Sequence, residues 1–346
     1  MIMMATLVFA LLELAAGLLP AADFPKAEIS NGQIRVKLYL PDAKHGFYRS
    51  TRFDWSGVVY TLEYKGHNYY GPWFQKIAPN VQDVDHEGQD IVSTTYTDAV
   101  VGPAEEYQTN GTALGFDEAK PGGTFIKIGV GTLRKPDEAG YDHFKPYEIV
   151  DAGKWTVTKN RDSITFVQDL ADPSSQYGYI YQKTMRLTKG KPEMVLEHSL
   201  KNTGSRPIQT SMYNHNFLVL DNQPPGPDFM IAFAFQLEAV RPPNKSFGEL
   251  RGNQIVYLKT LEGQDRMSTA VRGFSDSPKD YDIRVENRKV GAGVRITGDH
   301  PLTNVAYWSI RTVLAIEPYI SMTIDPGNEF TWKITYDYYT LPASTK

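Results

Sequence analysis

Apolar and polar residues alternate with a period of two along most of the chain beyond residue 24. This is the pattern of strands with one face in a core and the other toward water. The runs 57–64, 124–130, 155–158, 163–167 and 179–187 read as strands, and so do 194–201, 209–220, 229–240, 305–318 and 329–339. The last is the clearest. Phe330, Trp332, Ile334, Tyr336 and Tyr338 share one face, while Thr331, Lys333, Thr335 and Asp337 share the other, and Asp325-Pro326-Gly327-Asn328 supplies the turn ahead of it. A helical period is hard to find. Many strands without crossover helices predict an all-β fold, a large antiparallel β-sandwich or a barrel-like relative of it.

One stretch departs from the alternation. Gly102-Pro103-Ala104-Glu105-Glu106-Tyr107 reads as the opening of a long acidic loop through Gly111, Gly115, Asp117, Glu118, Gly122 and Gly123. Long loops often line sites. Glu105 and Glu106 are therefore candidates for binding substrate hydroxyls, with a solvated acidic loop as the plain alternative.

Composition narrows the range of functions. The 346 residues carry a net charge of −4, with Lys and Arg scattered, so the basic stripe that a nucleic-acid partner requires is missing. There is no cysteine, which rules out disulfides, thiolate nucleophiles and zinc–thiolate sites. Residues 1–22 are mainly apolar, with Glu13 the one charge, and end in Pro20-Ala21-Ala22. They resemble a secretory signal peptide. The expectation is a periplasmic or secreted protein in which residues 23–346 form a single β-sandwich domain. No later segment reaches the roughly 18 apolar residues of a spanning helix, so no membrane span is expected once the leader is removed.

The candidate chemistry lies in two strand-like runs about a hundred residues apart in sequence. In 211–220, Tyr213, His215, Phe217 and Val219 share one face and Met212, Asn214, Asn216 and Leu218 the other. Two asparagines flanking a histidine are poor strand formers and poor core residues, so polar groups must be satisfied there. Glu317 shares a face with Val313 and Ala315, and Pro318 after it keeps the backbone extended. A carboxylate in that setting is costly to bury unless paired. Taken singly, each residue reads as structural; brought together by the fold, they would make an acid/base pair. Other signals are weaker. Asp83-Val84-Asp85-His86-Glu87-Gly88 begins like a calcium loop but has Thr94 at its twelfth position, and Gly129-Val130-Gly131 lacks the rest of a dinucleotide site. His45, His67, His86, His143, His198 and His300 show no metal-ligand spacing and read as surface or structural residues. Lys135 and Tyr141-Asp142-His143 are candidates for the border of a site.

Together, Asn214-His215-Asn216-Phe217-Leu218 and Ile316-Glu317-Pro318, the latter followed by the Asp325-Pro326-Gly327 turn and a closing strand, resemble the galactose mutarotase (aldose 1-epimerase) superfamily from about residue 30 to 340. The resemblance implies the large supersandwich of that family, a small cyclic saccharide as partner, and neither cofactor nor metal. It implies Glu317 as general base on the anomeric hydroxyl and His215 as general acid on the ring oxygen. Arg52, within Tyr48-Arg49-Ser50-Thr51-Arg52-Phe53, would bind the sugar, and Asn214 joins it as a substrate-binding candidate. Asp228 and Asp282 are candidates for the family's hydroxyl-binding aspartate. With unperturbed values near 4.3 and 6.5, the carboxylate would be ionised and the imidazole protonated. The family's Leu-His-Gly-Gly-like loop, which carries a second histidine, is absent, and 102–107 occupies its place, so the chain reads as a divergent member. The expected function is an aldose 1-epimerase-like sugar isomerase. The alternatives are a carbohydrate-binding protein without turnover, or a lyase or hydrolase acting on modified or acidic saccharides with Glu105 or Glu106 recruited. Fold alone does not decide among them.

Overall fold

Two antiparallel sheets carry most of the strand residues among the described residues. The computed structural model describes residues 24–78, 81, 84–94 and 99–342, so the leader expected over residues 1–22 lies outside the described residues. The larger sheet has ten strands in the order Lys154–Lys159, Ser163–Asp172, Tyr177–Leu187, Glu193–Asn202, Glu329–Thr340, Ala292–Gly298, Asp282–Asn287, Phe229–Phe233, Gln254–Tyr257 and Gly248–Arg251. The second has six, in the order Glu238–Arg241, Arg266–Arg272, Asn304–Ile310, Val313–Ile324, Ile208–Phe217 and Gly102–Gln108. For brevity, Ile208–Phe217 is the histidine strand, Val313–Ile324 the glutamate strand and Gly102–Gln108 the acidic strand. Among the described residues no helix is long and apolar enough to cross a membrane.

Alternation explains how the two sheets meet. Trp332, Ile334, Tyr336 and Tyr338, one face of the closing strand, are buried. They share a core with Met212, Ile316 and Ile320 from the six-stranded sheet. Each such side chain stabilises the sandwich by roughly 1.5–3 kcal/mol. Two runs that looked continuous are divided. The 305–318 run is a hairpin that folds back at Arg311-Thr312, and the 229–240 run places Phe229–Phe233 in one sheet and Glu238–Arg241 in the other.

The outer face of the six-stranded sheet is covered as well. Phe53, Trp55, Trp73, Phe217, Trp308 and Ala315 form a second apolar cluster there. The acidic strand is thus buried on both faces, and this corrects its reading as a loop: it pairs with the histidine strand from Gly102 opposite Phe217 to Gln108 opposite Ser211. Gly102 sits at φ +78°, and a Cβ there would come within 2.3 Å of the Val59 carbonyl oxygen, so only glycine fits where the strand begins.

Candidate functional site

The histidine and glutamate strands are neighbours. Their register sets Tyr213 opposite Tyr319 and, with the same offset, Leu218 opposite Leu314; His215 therefore falls opposite Glu317. His215 Nε2 lies 3.3 Å from Glu317 Oε1, and both point to the outer face. The row continues across the sheet. Ala306 is opposite Glu317, Ala270 opposite Ala306, and Arg241 opposite Ala270, while Ala104 flanks His215 on the far side. Alanines between Arg241 and Glu317 leave space that larger side chains would fill. The result is a cavity of about 200 Å³ with Arg52, His215, Glu317, Trp308, Arg241 and Arg266 in its walls.

His215 is held on three sides. It stacks on Phe217 with ring centres 3.8 Å apart, and Phe53 and Trp308 meet it edge-on at 5.8 and 5.9 Å. Burial pushes the imidazole well below its usual range, the Arg52 guanidinium pushes the same way, and Glu106 opposes them. The imidazolium that the acid role requires is therefore scarcer at a given pH than unperturbed values imply. Nδ1 is buried without a hydrogen-bond partner, so the proton of the neutral ring belongs on Nε2, the nitrogen facing Glu317.

Arg52 borders the cavity from the loop after Ile34–Tyr39. Its Nε donates to Glu106 Oε2 at 3.0 Å and its Nη2 to the Tyr213 hydroxyl at 3.3 Å. Phe53 and Phe144 stack on the guanidinium at 4.5 and 4.7 Å. Glu106 is 0% exposed and also accepts from Lys127 Nζ at 2.8 Å, from Gln108 Nε2 at 3.2 Å and from the Tyr213 hydroxyl. Burial alone would raise its carboxyl, but Lys127 and Arg52 outweigh burial and hold it well below the usual range. Glu106 thus fixes Arg52 rather than meeting a ligand.

Glu105, next along the acidic strand, points the opposite way into the sandwich core. It is 0% exposed and pairs with Lys183 Nζ at 2.7 Å and His198 Nε2 at 2.9 Å. Asp54 lies 3.6 Å from the same lysine. Burial is the larger influence on both carboxyls. For Asp54 it prevails over Lys183 and pushes the group up to about 6; for Glu105, Lys183 and His198 overcome it and the group is held down. Neither Glu105 nor Glu106 lies on an open loop, which corrects their reading as hydroxyl-binding residues. Asn214 also faces the core, opposite Glu105 and away from the His215 side, so it does not border the cavity. Asp282 is bound to Arg295 on the ten-stranded sheet, and Asp228 precedes that sheet's Phe229–Phe233 strand; neither approaches His215. Lys135 is buried against the Phe116 carbonyl. His143 Nδ1 lies 3.5 Å from Glu106 Oε1, and His143 lines a neighbouring hollow with Arg52 and Phe144.

Arg241, Arg266 and Trp308 escaped the sequence reading. Their residue types gave no motif, and only the cross-strand register brings them beside Glu317. Among the described residues no cluster of three or more His, Asp or Glu is arranged to hold a metal ion.

No protein-family model matches the chain, and no curated protein matches it in sequence. Solved structures do match. The Slr1438 protein from Synechocystis sp. PCC 6803 aligns over 97% of this chain and 100% of its own, with a TM-score of 0.53 and 11% identity. A galactose mutarotase related enzyme from Lactobacillus acidophilus aligns over 93% of this chain and 99% of its own, with a TM-score of 0.52 and 14% identity. A galactose mutarotase-like protein from Lactobacillus casei ATCC 334 aligns over 91% and 100%, with a TM-score of 0.50 and 12% identity. At such identities the likeness is one of fold: the chain has the large β-sandwich fold of these galactose mutarotase-like structures.

Proposed function

We propose that the protein opens and recloses a cyclic saccharide at its anomeric carbon, with Glu317 as general base and His215 as general acid. The observation that supports this is the pairing of His215 Nε2 with Glu317 Oε1, 3.3 Å apart in the wall of one cavity. Glu317 takes the proton of the anomeric hydroxyl, the C1–O5 bond breaks, and O5 receives the Nε2 proton of the imidazolium. The aldehyde turns about C1–C2, and as the ring closes on the other face His215 takes back the O5 proton while Glu317 returns its proton to O1. Each group contributes roughly 10²–10⁴-fold.

The depressed His215 gives this step a particular character. Only a minor fraction of the ring is imidazolium at neutral pH, and that fraction is a stronger acid than an ordinary histidine. Arg52, held by Glu106 and clamped by two aromatic rings, presents a fixed positive edge to the sugar oxygens. The burial of Glu105 and Glu106 weighs against a lyase or hydrolase that recruits either of them. Anomer exchange followed by NMR, in wild type and in the His215→Asn and Glu317→Gln variants, tests the proposal.

A further inference from the structure

We infer that the cavity takes an anionic saccharide, a sugar bearing a phosphate or carboxylate, and that Arg241 and Arg266 hold its negative group. The inference rests on the ring-opening reading of the same cavity and names its substrate class. Three guanidinium groups and one carboxylate line the cavity. Arg52 is already matched by Glu106. Arg241 and Arg266 are not matched: among the described residues neither forms an ion pair, and Arg241 reaches only the Thr269 carbonyl, at 3.5 Å.

Several arginines on the sheet surfaces are paired: Arg272, on the same strand as Arg266, with Glu238, Arg295 with Asp282, and Arg186 with Glu197. Arg284 resembles the two cavity arginines in having no carboxylate partner among the described residues, so the inference rests on Arg241 and Arg266 both lining the wall that holds Glu317. Arg266 is also placed over the Trp308 ring, 5.7 Å from its centre, and Trp308 forms part of the same wall. A planar fork of N–H donors so oriented suits bidentate recognition of phosphate or carboxylate.

Distance fits as well. Arg241 and Glu317 are three strand positions apart in one row, with only Ala270 and Ala306 between them. At roughly 4.8 Å per strand their backbones are about 14 Å apart. That span leaves room for a sugar ring against His215 and Glu317, with a charged substituent reaching toward the two arginines.

The test measures anomer exchange by NMR and binding by calorimetry for glucose, glucose 6-phosphate and glucuronate, with wild type and the R241Q/R266Q double variant. The expected kcat/KM for at least one anionic sugar exceeds that for glucose by about tenfold or more, as charge-assisted hydrogen bonds allow. The ratio falls toward one in the double variant and at about 0.5 M salt. Preference for glucose 6-phosphate or for glucuronate tells a phosphate site from a carboxylate site. Glucose handled as well as both anionic sugars, or a ratio untouched by the double substitution, overturns the inference. Calorimetry separates the two readings. Arginine-dependent binding of an anionic sugar without exchange keeps this inference and removes ring opening; exchange that needs His215 and Glu317 but shows no anionic preference does the reverse.

Discussion

His215 and Glu317 face each other across adjacent antiparallel strands, Nε2 to Oε1 at 3.3 Å, with Phe217 stacked on the imidazole and Ala306 next to the carboxylate in the same row. The stacking fixes the ring, and the alanine leaves the carboxylate open to the cavity. Both features are properties of register, so substitutions along this row have separable consequences.

The first concerns pH. Burial and Arg52 hold His215 well below its usual value of 6.5, and the acid form is the proton donor. Its fraction falls as pH rises through that lowered value, so kcat/KM declines from below pH 6.5 upward, by about tenfold per unit beyond the limb. A pH–rate profile of anomer exchange checks this; a plateau extending to pH 8 contradicts it. Stability runs the opposite way. The unfolded imidazole takes up a proton near 6.5 that the folded one refuses, so stability present above 6.5 is lost as pH falls toward the folded value.

A second prediction concerns the buried network behind Arg52. Glu106 and Lys127, both essentially unexposed, pair at 2.8 Å. Glu106→Gln leaves Lys127 charged and buried, and costs roughly 3–5 kcal/mol in urea unfolding. The double variant Glu106→Gln/Lys127→Met recovers most of that loss. Equal destabilisation in the single and double variants would count against the pairing. Because Glu106 is held well below 4.5, its contribution is present above pH 4.5 and drains away as pH drops below it.

The hollow itself can be tested by filling it. Ala306 lies between Ala270 and Glu317 on the open face, so Ala306→Leu puts a branched side chain where the sugar would sit. Saccharide binding falls by more than about tenfold, while unfolding free energy moves by only about 0.5 kcal/mol, since the new side chain points into open space rather than packed core. Binding that survives the substitution would place the ligand elsewhere.

How much of this was legible in the sequence depends on what each residue's signal rests on. The closing strand was readable because Trp332 to Tyr338 are buried on one face while Thr331 to Asp337 are not. His215 was readable because it sits between two asparagines within a strand-like run, and Glu317 because it is a lone carboxylate in an apolar one. The acidic strand was not: with apolar clusters on both faces its burial shows no alternation, and Gly102-Pro103 followed by two carboxylates looks like a loop. Glu105 and Glu106 are tolerated only because Lys183 and Lys127 arrive from distant strands. Arg241 and Arg266 escaped for a related reason. Their proximity to Glu317 is a fact of cross-strand pairing over three strands, which no local pattern encodes.

On the proposed reading the imidazole and the carboxylate act together on one saccharide. Exchange spectroscopy between anomers, run on the same sugar panel with wild type, His215→Asn and Glu317→Gln, measures it most directly. Wild-type exchange above the uncatalysed rate is expected for at least one sugar, with a loss of about 10²-fold or more in each variant and the fold retained by circular dichroism. Equal exchange rates in all three proteins would contradict that reading.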